Sequence, residues 1–190
     1  MTDEYESPLS RSLRESIALA CRLMIEHDLK PSHVSVRLPG SECILIRARG
    51  GGTTFADTAL VALGDGALRA GKEPPIELPL HLEIYRRRAD VQAALHTHQP
   101  HAVRLGDRSA DDPQNTRPIY PSSDQITTFE RGRDVATLLG SGSTVFLRRH
   151  GMAFAGESIE HVVDLALRLE EQARDSVGLG NDARDSQAHR

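Results

Sequence analysis

The chain has 190 residues, 38% of them hydrophobic and 26% charged, which is enough for one domain with a sizeable core. Its net charge of −4 gives no bulk attraction to nucleic acid or to an anionic membrane. No apolar run approaches the roughly 18 residues a membrane span needs, and the acidic start Met1 to Glu6 lacks a signal peptide's basic and apolar regions, so the expected location is the cytoplasm.

Residues 1–9 read as a flexible tail, ahead of a domain expected over 10–174. Ser12 and Glu15 fit a capping box, and Leu13, Ile17, Ala20, Cys21, Met24 and Ile25 form the apolar stripe of a helix ending before Pro31. Cys21, on that stripe, and Cys43, in a strand-like run, are expected as buried thiols. Val34–Leu38 and Cys43–Ile46 read as strands flanking a turn at Pro39-Gly40. Arg47 to Gly52 is a glycine-rich loop, and Asp57 to Val61 is expected as a short helix. Leu60–Leu63 and Ala67–Arg69 flank Gly64-Asp65-Gly66, a second hairpin signal. After a proline-broken loop over Lys72–Glu77, a helix begins near Pro79 and runs to about Arg88. A strand follows over Asp90–His98, then a short helix over Pro100–Leu105, a surface loop over 106–123 and a helix over Arg133–Leu139. Ser143–His150 is strand-like, and Ser158 caps a helix ending near Arg174. Residues 175–190 read as a disordered tail. This alternation predicts an α/β fold, three layers α/β/α around a central, largely antiparallel sheet.

The chemistry-bearing residues are Glu77, His96, His98 and His150. Residues i and i+2 of a strand share a face, so His96 and His98 project together. His150 closes its own strand-like run, and Gly151 permits a sharp turn there. Three imidazoles and a carboxylate are the ligand set of a catalytic zinc-type site. Glu77 on its own would be a carboxylate at a helix start, favoured by the helix dipole. His81, one helical turn on, is placed to hydrogen-bond Glu77. His101 reads as a helix-surface residue, and Arg86-Arg87-Arg88 as a solvated helix end.

Four segments, His33-Val-Ser-Val-Arg37, Glu77 to Tyr85, Val91 to His98 and His150-Gly151, resemble the class II aldolase/adducin family over roughly residues 12–174. The resemblance implies the class II aldolase-like fold and a divalent metal held by His96, His98 and His150. Zinc is the first expectation, with Mn2+, Co2+ or Fe2+ as alternatives. It assigns Glu77 as a resting ligand or as the acid/base, and it implies a homotetramer with active sites between subunits. Tyr120 falls where the family carries mobile residues that reach a neighbouring site.

Sugar-phosphate aldolases of this family cradle phosphate with a Gly-Asn turn, a Thr-Gly pair and a Ser-Ser pair. Here those places hold Ser32-His33, Arg49-Gly50 and Pro75-Ile76. Proline has no N–H and isoleucine no hydroxyl, so phosphate donors are missing. Arg49, beside Gly50, can grip a carboxylate through its planar fork, and His33 is placed to contact substrate or donate a proton. The pattern is similar to the decarboxylase-like branch. It implies a metal-dependent carbon–carbon lyase that decarboxylates a small hydroxylated aromatic or keto acid through a metal-stabilised enolate or carbanion. Glu77, with His33 or Tyr120, would supply the proton, and Arg49 and Gly50 would bind the acid. The alternatives are an aldolase or epimerase on an unphosphorylated hydroxycarbonyl compound, and a non-catalytic adducin-like interaction domain.

Overall fold

A computed structural model describes residues 2–29 and 33–185 of the chain. Among these, eight strands form one sheet in the order β4-β3-β2-β1-β5-β8-β7-β6. They are β1 (His33–Arg37), β2 (Cys43–Arg47), β3 (Thr58–Ala62), β4 (Leu68–Gly71), β5 (Ala93–Thr97), β6 (Ile119–Tyr120), β7 (Thr144–Leu147) and β8 (Gly151–Gly156). Every pairing is antiparallel except β6 with β7. The helices are α1 (Thr2–Tyr5), α2 (Pro8–Glu26), α3 (Leu78–Arg87), α4 (Pro100–Ala110), α5 (Phe129–Leu139) and α6 (Ile159–Asp185).

Two apolar clusters cover the two faces of the sheet, giving the three layers expected. Ile17, Cys21 and Met24 of α2 and Val162, Val163 and Ala166 of α6 pack with Val34, Leu45 and Leu95 on one face. Leu80 and Ile84 of α3 and Val135 and Leu139 of α5 pack with Ile44, Val61, Ala94 and Val145 on the other. Cys21 and Cys43 are free, buried thiols.

Several local expectations are corrected. Residues 2–5 and 8–9 are helical rather than a tail: Tyr5 is buried, its hydroxyl lies 3.0 Å from Thr58 Oγ1, and the Arg14 guanidinium stacks 4.0 Å over its ring. The cap of α2 is Ser7, whose side chain accepts from Ser10 N–H, with Pro8 in the first turn. Ile25 is exposed rather than part of the buried stripe. Asp57 to Val61 is not a helix. Thr58–Ala62 forms β3, buried at every position between β2 and β4, so it lacks the polar–apolar alternation that marks a half-buried strand. The glycine- and alanine-rich β8, where only Gly151 was given a role and that as a turn, lies beside β5 at the sheet centre. Helix α4 continues past Leu105 to Ala110, and α5 starts at Phe129, where the Thr128 hydroxyl accepts from Arg131 N–H. Helix α6, capped by Ser158 as expected, runs through Asp185 rather than ending near Arg174. The last five residues of the expected disordered tail, like Ser32 of the expected turn, lie outside the described residues.

Candidate active site

Strands β1, β5 and β8 adjoin at the middle of the sheet, with His33 opposite His96 and His96 opposite Ala153. His96 is fully buried within β5, and His98 is exposed just past the strand's end. His150 sits on the turn between β7 and β8. The left-handed residue there is Arg149 (φ 53°), whose N–H donates to Asp107 Oδ1 at 2.8 Å. Gly151 therefore has a different task from the turn expected of it. A Cβ on Gly151 would lie 2.5 Å from Thr97 O, 2.8 Å from His98 Cδ2 and 3.1 Å from His96 Cε1. The residue must be glycine for the two imidazoles to pack against the start of β8.

Glu77 is the N-cap residue of α3 but makes no side-chain cap. Its carboxylate is buried and turns into the histidine cluster. Oε2 lies 3.1 Å from His96 Nε2 and Oε1 lies 3.3 Å from His150 Nε2, while the Ile126 amide donates to Oε1 at 2.9 Å. Burial opposes the charge on Glu77, but the His150 and His96 rings and the Ile126 amide hold its carboxyl well below the usual carboxylate range.

The orientation of the rings is set by the backbone. His96 Nδ1 is 2.9 Å from Met152 O, and His150 Nδ1 is 3.2 Å from Asp124 O. A carbonyl only accepts, so both Nδ1 atoms carry protons; Nε2 donates to Glu77 when the ring is protonated, and in the neutral ring it is a lone pair available to a cation. His98 Nε2 lies 3.1 Å from His96 Nε2. One ligand atom from each of Glu77, His96, His98 and His150 falls within 4.8 Å of all the others. Acceptors converging in this way repel one another unless protons or a cation stand between them. Nitrogens bound tetrahedrally at zinc are roughly 3.3 Å apart, near the separations found here. The arrangement fits a divalent cation.

The other candidate residues divide. His33 is half-buried with its ring stacked on His96 at 6.3 Å between centroids. Burial, aided by the neighbouring His96, pushes it down to about 3 from the ordinary 6.5. His81 does not bond Glu77: it is fully buried and its Nδ1 lies 2.8 Å from Ser35 Oγ. Arg49 and Gly50 follow β2 at the end of the sheet where His33 and His96 stand, since β2 runs from Ile46, opposite Ser35, toward that end. Arg49 is exposed, and Gly50 has the positive φ of 61° that its turn requires. Tyr120 stands apart from the histidine cluster. It lies in β6 opposite Leu147, buried in the same apolar cluster as α5. His101 is more than a surface residue, because its Nδ1 lies 2.7 Å from the buried Glu170 carboxylate. The supports that sequence could not reveal are main-chain groups, namely Met152 O, Asp124 O and Ile126 N–H, which carry no residue-type signal.

Residues 15–177 match the family described as Class II Aldolase and Adducin N-terminal domain. A 3,4-dihydroxyphthalate decarboxylase of Arthrobacter keyseri is 33% identical over 193 aligned positions, covering 86% of this chain and 77% of the relative. Among solved structures, an aldolase II superfamily protein from Pseudomonas syringae superposes with a TM-score of 0.79 at 22% identity, covering 93% of this chain and 78% of that one. An L-fuculose 1-phosphate aldolase superposes with a TM-score of 0.78 at 17% identity, covering 90% and 87%. A profile spanning most of the chain, a relative matched along most of its length and a shared fold converge: this chain belongs to the class II aldolase and adducin family, on its decarboxylase-like branch.

Proposed function

We propose that the chain is a divalent-metal-dependent carbon–carbon lyase that removes CO2 from a small hydroxylated aromatic or keto acid. The observation that carries this reading is the convergence of Glu77, His96, His98 and His150 within 4.8 Å, with two imidazole lone pairs turned inward by backbone carbonyls. The likeness to a relative named 3,4-dihydroxyphthalate decarboxylase supports the reaction type and makes a dihydroxylated aromatic diacid the first substrate to test. His96, His98 and His150 would hold the metal, zinc being the first choice for three imidazoles and manganese, cobalt or iron the alternatives. When bound, the cation supplies Lewis-acid stabilisation of the negative charge that develops as CO2 leaves.

The chain's own residues supply the proton handling. Glu77 is held as a carboxylate, so it begins as a base and takes the proton of the substrate hydroxyl beside the departing carboxylate. The carbon–carbon electron pair then stays with the substrate, and Glu77, now protonated, returns its proton to that carbon. Solvent restores the hydroxyl proton, so each turnover takes up one proton and releases one CO2. His33, held neutral beside His96, binds a substrate oxygen, and Arg49 anchors the acid group from the loop after β2. Tyr120, buried in the apolar cluster, has no part in this scheme. A soluble cytoplasmic homotetramer with the site near a subunit boundary is the assembly proposed, and a small acid is the only partner invoked. No helix among the described residues is long and apolar enough to cross a membrane.

Metal analysis of the purified chain beside a His96→Ala/His98→Ala variant tests the site, and CO2 release from 3,4-dihydroxyphthalate, related hydroxybenzoates and keto acids tests the reaction. About one metal per chain, lost in the variant together with CO2 release, is expected. A metal-free chain that stays inactive after reconstitution would overturn the reading in favour of an adducin-like interaction domain. The second enzymatic reading, aldol cleavage or epimerisation of an unphosphorylated hydroxycarbonyl compound, uses the same base and is favoured by the Glu77 carboxylate alone. An aldehyde fragment in place of CO2 would identify it.

A further inference from the structure

The polar groups on the α3 side of β1 form a chain that ends beside the site. Tyr85 is buried, and its hydroxyl lies 2.9 Å from Ser35 Oγ. Ser35 Oγ in turn lies 2.8 Å from His81 Nδ1 and 3.4 Å from Ala94 O. Beyond His81 stands His33, its ring 6.4 Å away between centroids in an edge-on arrangement. His81 Nε2 and His33 Nδ1 are both buried and have no hydrogen-bond partner among the described residues. The two unpartnered nitrogens thus belong to neighbouring rings whose centroids lie 6.4 Å apart.

The shorter contacts favour one direction for the chain. Tyr85 has one hydroxyl proton, and Ser35 Oγ is its partner here, so Tyr85 donates and Ser35 accepts. Ser35 then has one proton to give. It goes to His81 Nδ1 at 2.8 Å in preference to Ala94 O at 3.4 Å, the shorter separation being the ordinary one for a hydroxyl donor. A neutral imidazole that accepts at Nδ1 carries its proton at Nε2, and burial keeps His81 neutral. His81 Nε2–H and His33 Nδ1 are both buried on neighbouring rings without a partner among the described residues, and one buried water between them would let the first donate and the second accept. His33 is left with its proton on Nε2.

We propose that His81, oriented by Ser35 and Tyr85, is a positioning residue that fixes His33 as the Nε2–H tautomer and so makes it a hydrogen-bond donor to a carboxylate oxygen of the substrate. The role in substrate binding rests on the lyase reading above, whereas the tautomer does not. A donor at this place suits an acid and disfavours a ligand that offers only donors there, so the chain of four groups is a device for substrate selection.

The test is a nitrogen-15 imidazole spectrum of the zinc-loaded full chain, with His33 assigned by a His33→Asn variant. In the wild type the His33 signals should show Nε2 protonated and Nδ1 accepting. In His81→Phe and in Ser35→Ala the two tautomers should mix, while His81→Gln, whose amide keeps a donor near the Nε2 position, should restore the wild-type pattern. With 3,4-dihydroxyphthalate as the probe, His81→Phe should raise KM roughly tenfold, the loss expected for one hydrogen bond to a charged group, and change kcat less. A wild-type His33 protonated at Nδ1 would overturn the proposal. So would a tautomer unchanged in Ser35→Ala, which decides the matter if His81→Phe does not fold. Correct tautomers without CO2 release would sink the lyase reading and leave the positioning role of His81 standing.

Discussion

Glu77 Oε2 stands 3.1 Å from His96 Nε2, although one residue opens a helix on the sheet's outer layer and the other is buried in a central strand. The contact joins the α3 layer to the sheet at the point where His98 and His150 also converge. It makes Glu77 separable from the metal ligands by experiment. Glu77→Ala should leave three imidazoles in place and keep metal affinity within about tenfold of wild type, while CO2 release falls by about 10²–10⁴, the range for losing a general acid–base. Chelator competition and a CO2 assay on the same preparation check both halves, and wild-type turnover in the variant would remove Glu77 from the mechanism.

Gly151→Ala forces a methyl group against Thr97 O and His98 Cδ2. Neither strand can retreat without breaking the β5–β8 pairing at Thr97 and Met152. Overpacking of this kind costs about 1–3 kcal/mol, and the strain falls on two of the proposed ligands. Metal affinity should drop at least about tenfold together with a lower melting temperature. Stability lost with affinity intact would mean that the imidazoles pack elsewhere.

Glu170 of α6 accepts from His101 N–H, His101 Nδ1 and Ala102 N–H, and Gln99 donates to Ala166 O at 2.6 Å. These bonds tie the segment after His98 to α6. Glu170→Ala strands buried donors at the start of α4 and should cost about 2–3 kcal/mol. The metal-free chain should show this loss in denaturant unfolding, and the metal should dissociate faster as His98 gains freedom.

Acid should weaken the metal-free fold through His33. Unfolded, the ring takes a proton near 6.5; folded, it does so only near 3. Between those values the unfolded chain binds more protons, so stability falls as pH drops through that window and is regained as pH rises above it. The His33→Asn chain lacks this dependence. Melting curves of both metal-free chains from pH 7 to pH 4 should converge or cross on acidification, and parallel curves would contradict the neutral, buried ring.

The helices and strands that carry the site were legible because their signals are local. The i, i+2 spacing of His96 and His98 brings their ring centroids within 4.7 Å although His98 lies just past β5, and His150 falls on the turn that Gly151 follows. What the sequence hid depends on contacts remote in the chain. β3 is buried on both faces and reads as no particular period, and β8 is built of small residues with no strand signal of their own until β5 pairs with it. Tyr5 leaves the supposed tail because Thr58 and Arg14 receive it. His81 was expected to bond Glu77, four residues away, yet its partner is Ser35, across the sheet-to-helix interface. Tyr120 was expected where the family carries residues that reach a neighbouring site, and in this chain it is buried beside Leu147 in the parallel pairing at the sheet's edge.

The placement of His150 and Gly151 on the far side of β5 from His33 has a consequence for how the protein is made. A chain emerging from the ribosome offers a cation only the neighbouring pair His96 and His98. His150 joins them when β7 and β8 close against β5, and Glu77 faces them when α3 docks on the sheet. Tight uptake of the proposed metal would thus be a late event in biogenesis, one that certifies a finished sheet centre. In a cell short of metal, the same geometry would let the completed protein wait with its site formed, since the backbone carbonyls of Met152 and Asp124 already orient the His96 and His150 rings.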